Sequence, residues 1–81
     1  MATTSLKIEA NWQKVSDGEA VVLQNVGDDM LEVATVKSGD TPATGFLLKN
    51  KDFFSYSGGD EVWVKCRQAG ISYIAIDNIG A

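Results

Sequence analysis

The 81-residue chain contains no histidine, one cysteine and one proline. Without histidine it lacks the commonest general base and the commonest partner that activates a nucleophile, so acid–base and nucleophilic catalysis are disfavoured. The single cysteine, Cys66, excludes a disulfide within the chain, and the usual zinc spacings of Cys and His cannot be written. The sequence therefore predicts a noncatalytic protein with no metal and no other cofactor.

Charged residues are few and evenly spread. Seven Lys and Arg residues against eleven Asp and Glu residues give a net charge of −4, and the cations occur singly rather than in a basic patch. Residues 1–10 lack the apolar core of a signal peptide, and the longest strictly apolar run is Ala20–Leu23, far short of a membrane span. We expect a soluble protein from a reducing cytoplasm that binds neither nucleic acid nor a membrane.

Apolar residues alternate with polar ones in short runs, and turn-forming residues interrupt these runs about every eight to twelve positions. This spacing is typical of an all-β domain, here a single antiparallel β-sandwich or jelly-roll-like barrel of about seven to eight short strands. Jelly roll, another Greek-key sandwich and a small closed barrel all remain open. The predicted strands are Ser5–Glu9, Trp12–Val15, Glu19–Gln24, Leu31–Lys37, Thr44–Lys49, Phe53–Tyr56, Glu61–Arg67 and Ser72–Asp77.

The domain is predicted to cover residues 1–81, with a flexible N-terminus at 1–4 and an exposed loop at 38–45 that holds Pro42. Two hairpins are predicted, over residues 19–36 and 61–76, because in each a glycine-containing turn separates two β-rich runs. A three-residue loop at Gln68, Ala69 and Gly70 would pair Arg67 with Ile71, Lys65 with Tyr73 and Val64 with Ile74.

This second hairpin would sort its side chains onto two faces. Val62, Val64, Cys66, Ile74 and Ile76 would face the core, and Trp63, Lys65, Arg67, Tyr73 and Ala75 would face outward. The reverse assignment, with the valines meeting a partner, also remains open. Cys66 on the valine side is predicted to be a small buried hydrophobe.

The outward aromatic and cationic side chains are the leading candidate site. Trp63, Lys65, Arg67 and Tyr73 would form an interface with cation–π packing, and Trp12, Phe54 and Tyr56 would form a second aromatic contact. The same aromatic residues could instead stack on sugars, with Trp63 and Tyr73 or Trp12 and Tyr56 as the platform, or simply fill the core. The acid pairs Asp28–Asp29 and Asp60–Glu61 are best explained as turn residues, ahead of a carboxylate pair for glycoside hydrolysis or a calcium site.

Three segments carry a family resemblance: "WQKVSDGEAVVLQNVG", "GDTPATGFLLKN" and "GGDEVWVKCRQAGISYIAI". Their order, across most of residues 12–76, resembles the small all-β head-decoration and tail-associated proteins of tailed bacteriophages. The resemblance implies a noncatalytic virion component, assembled in the bacterial cytoplasm as a homo-oligomer, often a trimer, that docks on other virion proteins. It carries over no functional residues. The alternative is a carbohydrate-binding β-sandwich module with a glycan as its partner.

Overall fold

The computed structural model describes residues 3–67 and 70–78, and within them the chain forms eight β-strands. All eight predicted strands are confirmed, with ends that differ by no more than two residues. The strands are β1 (Thr4–Ile8), β2 (Gln13–Asp17), β3 (Val21–Asn25), β4 (Leu31–Val36), β5 (Phe46–Leu48), β6 (Phe53–Tyr56), β7 (Glu61–Cys66) and β8 (Ser72–Asn78).

The strands form two four-stranded antiparallel sheets, so the predicted all-β sandwich is confirmed. Sheet 1 has the order β1-β8-β3-β6 and sheet 2 the order β2-β7-β4-β5. Sheet 1 contains the pairs β1·β8 and β3·β6, and sheet 2 contains the pairs β2·β7 and β4·β5. The chain is thus arranged like one long hairpin, folded between β4 and β5, whose paired arms wrap around the core. This is jelly-roll topology, one of the three arrangements that the sequence left open.

Both predicted hairpins are wrong. Strand β3 lies in sheet 1 and β4 in sheet 2, while β7 pairs with β2 and β4, and β8 pairs with β1 and β3. Lys65 therefore lies opposite Glu32 rather than Tyr73, and Tyr73 lies opposite Lys7. Gly, Asn and Asp show that the chain turns, but not whether the next strand returns beside the last one or crosses to the other sheet. Gln68 and Ala69 of the predicted loop lie outside the described residues.

The core lies between the two sheets, and the assignment of inner residues is confirmed. Val62, Val64, Cys66, Ile74 and Ile76 are all buried, so the reverse assignment is wrong. The remaining members of the core cluster are Ile8, Val21, Leu23, Leu31, Val33 and Leu48. In the predicted exposed loop at 38–45, residues 38–41, 43 and 44 are exposed, but Pro42 is buried.

Asn25, at the end of β3, links the two sheets through a fully buried side chain. Its Nδ2 donates hydrogen bonds of 2.9 Å to the carbonyls of Asp29 and Leu48, the latter in sheet 2. Its Oδ1 accepts from the Gly27 N–H at 3.0 Å and the Ser72 hydroxyl at 2.9 Å. All the main hydrogen-bonding positions of the amide are thus filled, by groups from both sheets and the β3–β4 connection.

We expect Asn25→Ala to lower the free energy of unfolding by about 2–4 kcal/mol, because it leaves several buried polar groups without partners. Urea denaturation followed by tryptophan fluorescence measures the change. Asn50→Ala is the matched control: Asn50 is exposed and donates one hydrogen bond, to the Gly27 carbonyl at 2.7 Å. Its loss should cost less than about 1 kcal/mol. Equal losses in the two variants would contradict the role given to Asn25.

Candidate functional site

The four residues predicted to share one interface lie on opposite sides of the sandwich. Trp63 and Lys65 alternate with buried valines on β7 and face outward from sheet 2, and exposed Arg67 follows directly. Tyr73 is on β8 and faces outward from sheet 1. Each residue is outward, as predicted, but the single Trp63–Lys65–Arg67–Tyr73 face does not exist, because β7 and β8 belong to different sheets.

On the outer face of sheet 2, the side chain of Trp63 is tied to groups of its own chain. Its Nε1 donates a 3.1 Å hydrogen bond to Glu61 Oε1, and Glu61 Oε2 lies 3.5 Å from Lys14 Nζ. Lys14 also contacts Asp17 at 3.2 Å, and the carboxylates of Asp17 and then Glu61 raise the pKa of Lys14. Ala34, opposite Trp63 on β4, is buried although it points outward. Trp63 therefore contributes to the structure of this face.

The expected cation–π contact is present on sheet 2, but with a different aromatic partner. Lys65 Nζ lies 5.6 Å from the centre of the Trp12 ring. Gln13 pairs with Val64, so Trp12, one residue earlier, comes opposite Lys65 on the outer side. The outer face of sheet 2 thus carries both tryptophans, each held by a charged side chain of the same chain.

The predicted second aromatic contact is not assembled. Phe54 and Tyr56 lie on the inner side of β6, where they pack against the core and stack with ring centres 6.4 Å apart at 17°. The Tyr56 hydroxyl accepts the Asp60 N–H at 3.0 Å. Trp12 lies on the outside of the other sheet. The two residues of each predicted sugar platform, Trp63 with Tyr73 and Trp12 with Tyr56, therefore lie on different surfaces. Phe54 and Tyr56 pack against the core, which was the alternative prediction for the aromatic residues.

The outer face of sheet 1 carries an apolar surface that sequence reasoning missed. Phe53 is 68% exposed, Val26 48% and Tyr73 45%. Val26 and Tyr73 are neighbours, since the Val26 N–H donates to the Tyr73 carbonyl at 2.9 Å. We call these three residues, with half-buried Val22 and Ala75, the sheet 1 patch. One signal for this surface was present in the sequence. Val22 and Val26 are apolar but alternate with the buried Leu23 and Asn25, so they face outward.

A shallow depression lies within this outer face. Its volume is ≈ 210 Å³, which is below the range of about 300–1,000 Å³ typical of small-molecule pockets. Val22, Phe53 and Ala75 of the sheet 1 patch line it, together with Asp77. Within the described part of the chain, Asp77 Oδ1 is a buried oxygen without a hydrogen-bond partner. The walls of the depression are thus mainly apolar.

A second exposed apolar surface lies on β5, one of the two edge strands of sheet 2. Phe46 is 69% exposed and Leu47 48%. We call these two residues the β5 ridge. The ridge is followed by a turn in which Lys49 and Lys51 are both exposed. Exposed apolar edge strands promote association between chains.

In the acid pair Asp28–Asp29, one side chain makes a structural hydrogen bond. Asp29 Oδ2 accepts the Ile71 N–H at 3.0 Å and so joins the β3–β4 and β7–β8 connections. Asp28 and Asp29 line a cavity of ≈ 260 Å³ with Met30 and Arg67 at this end of the sandwich. Asp residues in turns usually bond the local backbone, whereas this Asp29 bond reaches a distant connection.

Cys66 is buried in the core, as predicted. Its thiol donates to the Ile8 carbonyl at 3.2 Å. Burial raises the pKa of the thiol above its ordinary value of 9.0, so the neutral form is favoured at physiological pH. A neutral, inaccessible thiol is a poor nucleophile, so Cys66 behaves as a core residue.

We expect Glu61→Ala to lower the free energy of unfolding by about 1–2 kcal/mol, because Trp63 Nε1 loses its charged acceptor. Asp17→Ala is the control, since Asp17 also contacts Lys14 but is highly exposed, and an exposed ion pair contributes little. Urea denaturation of both variants makes the comparison. Equal stability of Glu61→Ala and the unmodified protein would contradict the structural role of the Trp63–Glu61 hydrogen bond.

Comparisons with known proteins assign no family. No protein-family model matches the chain, and no curated protein matches it. Within residues 3–67 and 70–78, no helix is long and apolar enough to cross a membrane, and no group of three or more His, Cys, Asp or Glu side chains is placed to hold a metal ion. A functional proposal therefore depends on the surfaces described above.

Proposed function

We propose that this chain is a noncatalytic structural protein of a bacteriophage virion, a capsid-decoration or tail-associated protein assembled in the bacterial cytoplasm. It acts by associating with copies of itself, with a trimer favoured, and by docking on other virion proteins. The observation that carries the proposal is the pair of exposed apolar surfaces, the sheet 1 patch and the β5 ridge, on a very small domain.

The size of the domain favours association. A chain of 81 residues buries only about 60–65% of the surface that its unfolded form exposes. Small domains usually gain stability from disulfides, metals or subunit contacts, and one cysteine cannot form a disulfide within the chain. Covering Phe46, Phe53 and Tyr73 with another subunit would remove large apolar side chains from water. Each fully buried side chain of this kind contributes about 1.5–3 kcal/mol.

The topology is compatible with a virion role. Jelly rolls occur in viral capsid proteins, and also in lectins and cupins, so the fold by itself does not choose between them. The choice of a phage protein comes from the sequence resemblance of residues 12–76. The strand order adds an architecture that viral capsid proteins share.

The noncatalytic part of the proposal is supported by what the polar groups already do. Glu61 holds Trp63 and Lys14, and Asp29 holds the Ile71 backbone. The buried amide of Asn25 has its hydrogen bonds filled within the domain. These side chains already make their hydrogen bonds and ion pairs within the domain, and they do not surround a common cleft.

We expect the purified protein to be an oligomer at micromolar concentration, because subunit contacts cover its apolar surfaces. Light scattering coupled to gel filtration measures the mass. An antibody raised against the protein should also label purified phage particles from the bacterium that carries the gene. A monomer that is absent from such particles would contradict the proposal.

A carbohydrate-binding module is the second candidate, and one observation favours it: Trp12 and Trp63 share the outer face of sheet 2. Sugar stacking needs a free ring face. Lys65 lies over the Trp12 ring, and Trp63 Nε1 already donates to Glu61. This face is therefore less available to a saccharide than two unattached tryptophans would be.

We expect no saturable change in tryptophan emission when the protein is titrated with a panel of bacterial surface saccharides. Trp12→Phe and Trp63→Phe separate the two emitters and show which ring responds if there is a change. A saturable response that disappears in Trp12→Phe would favour the carbohydrate-binding function over virion assembly.

A further inference from the structure

Strand β2 ends at Asp17, and Gly18 follows it directly in the turn toward β3. This is the only place in the sequence where an Asp or Asn residue precedes a glycine. A backbone nitrogen can attack the side-chain carbonyl carbon of the Asp or Asn before it and close a five-membered succinimide ring. A side chain on the residue that supplies the nitrogen hinders this closure, and glycine has none. Asp17 therefore has the least hindered neighbouring nitrogen of any Asp in the chain.

The carboxyl group of Asp17 is open to water. Its side chain is 73% exposed, and its Oδ1 contacts Lys14 Nζ at 3.2 Å. An exposed ion pair of this kind contributes little free energy, so the carboxyl group can leave Lys14 at small cost. A hollow of ≈ 230 Å³, which Asp17 and Glu19 help to line, lets water reach the same place.

The turn leaves room around Gly18. Its φ is +115°, and the nearest atom that a Cβ there would meet is the Gly59 carbonyl oxygen at 3.7 Å. The Gly18 carbonyl accepts the Gly59 N–H at 2.9 Å, and the Asp17 N–H donates to Glu19 Oε1 at 3.1 Å. These hydrogen bonds of the turn do not use the Gly18 nitrogen, so ring closure through that nitrogen does not have to break them first.

We propose that Asp17 is a site of spontaneous isomerisation to isoaspartate, an inference that does not depend on the proposed function. In the first step the Gly18 nitrogen bonds to Asp17 Cγ. One oxygen of the neutral carboxyl group leaves as water, with its own proton and the amide proton. Nitrogen and carbon are held within one ring-forming unit, which favours the reaction over an intermolecular one.

The second step opens the ring with water. Its hydroxyl group adds to the main-chain carbonyl carbon of Asp17, the bond from that carbon to the Gly18 nitrogen breaks, and the nitrogen regains a proton. The chain then runs through Cγ, and the former main-chain carbonyl becomes a free carboxyl group. Attack of water on Cγ instead regenerates Asp17. One water is released and one is consumed, so the conversion needs neither a cofactor nor an oxidant.

Peptide mapping of aged protein tests the inference. The folded, unmodified protein is kept for several weeks at mildly acidic pH and physiological temperature and is then digested. Electron-transfer fragmentation distinguishes isoaspartate from Asp at each position. Isoaspartate at Asp17 should exceed that at Asp40 severalfold, because Asp40 is also exposed but precedes Thr41. Equal levels at the two positions, or none at Asp17, would overturn the inference.

Two variants sharpen the assignment. Asp17→Glu keeps a carboxylate near Lys14 but would need a slower six-membered ring, so isomerisation at this position should disappear. Asp17→Asn forms the same succinimide by losing ammonia, a better leaving group than the oxygen of a carboxylate, so it should convert faster than the unmodified protein. Circular dichroism reports whether each variant is folded. Undiminished isomerisation in Asp17→Glu, or an Asp17→Asn variant that retains its amide, would contradict ring closure through Gly18.

The structure also predicts what the modification does to the turn. The extra backbone methylene would lie directly after the Asp17–Glu61 pair of β2 and β7. It would displace the Gly18 carbonyl from the Gly59 N–H, the hydrogen bond that joins this turn to the β6–β7 turn. The isomerised fraction, separated by ion-exchange chromatography, should therefore unfold at a lower urea concentration than unmodified protein. Identical unfolding midpoints would contradict this structural effect.

Discussion

The hydrogen bonds of Asn25 fix how the two sheets meet. Apolar packing holds the sheets together, but it is non-directional and tolerates sliding. The buried amide bonds Leu48 at the end of β5 and Ser72 at the start of β8, and so sets the positions of both strands. The β5 ridge precedes Leu48 and Tyr73 follows Ser72. One buried side chain thus positions an exposed apolar surface on each sheet.

The local backbone supports this arrangement. Gly27 lies so close to β8 that a Cβ atom there would collide with the Ser72 hydroxyl and come within 2.7 Å of the Tyr73 nitrogen. The missing side chain lets the β3–β4 connection pass over β8 while its N–H reaches Asn25. The outer faces then differ: on sheet 2, Trp12 and Trp63 are held by charged groups of the same chain, whereas on sheet 1, Phe53 is exposed.

The sequence predicted what depends on neighbouring residues along one strand. Period-two alternation placed Val62 and Val64 inside and Trp63 outside, because side chains of a strand alternate regardless of its partners. The acceptor of Trp63, Glu61, is two residues away on the same face and could have been found in this way. The Trp12–Lys65 contact could not, because it needs the register between β2 and β7. The sheet 1 patch was missed for the same reason, since its residues come from β3, β6 and β8 and are neighbours only in the folded sheet.

The jelly-roll topology has a consequence for how the chain folds during synthesis. Among the described strands, β1 pairs only with β8 and β2 only with β7, so before β7 emerges from the ribosome only the β3·β6 and β4·β5 pairs can form. One central strand of each sheet, β8 in sheet 1 and β7 in sheet 2, arrives after the strands that flank it. Such nonlocal pairing slows folding and leaves strand edges temporarily unpaired. A nascent chain therefore holds Leu6 and Ile8 without their strand partners until β8 is available.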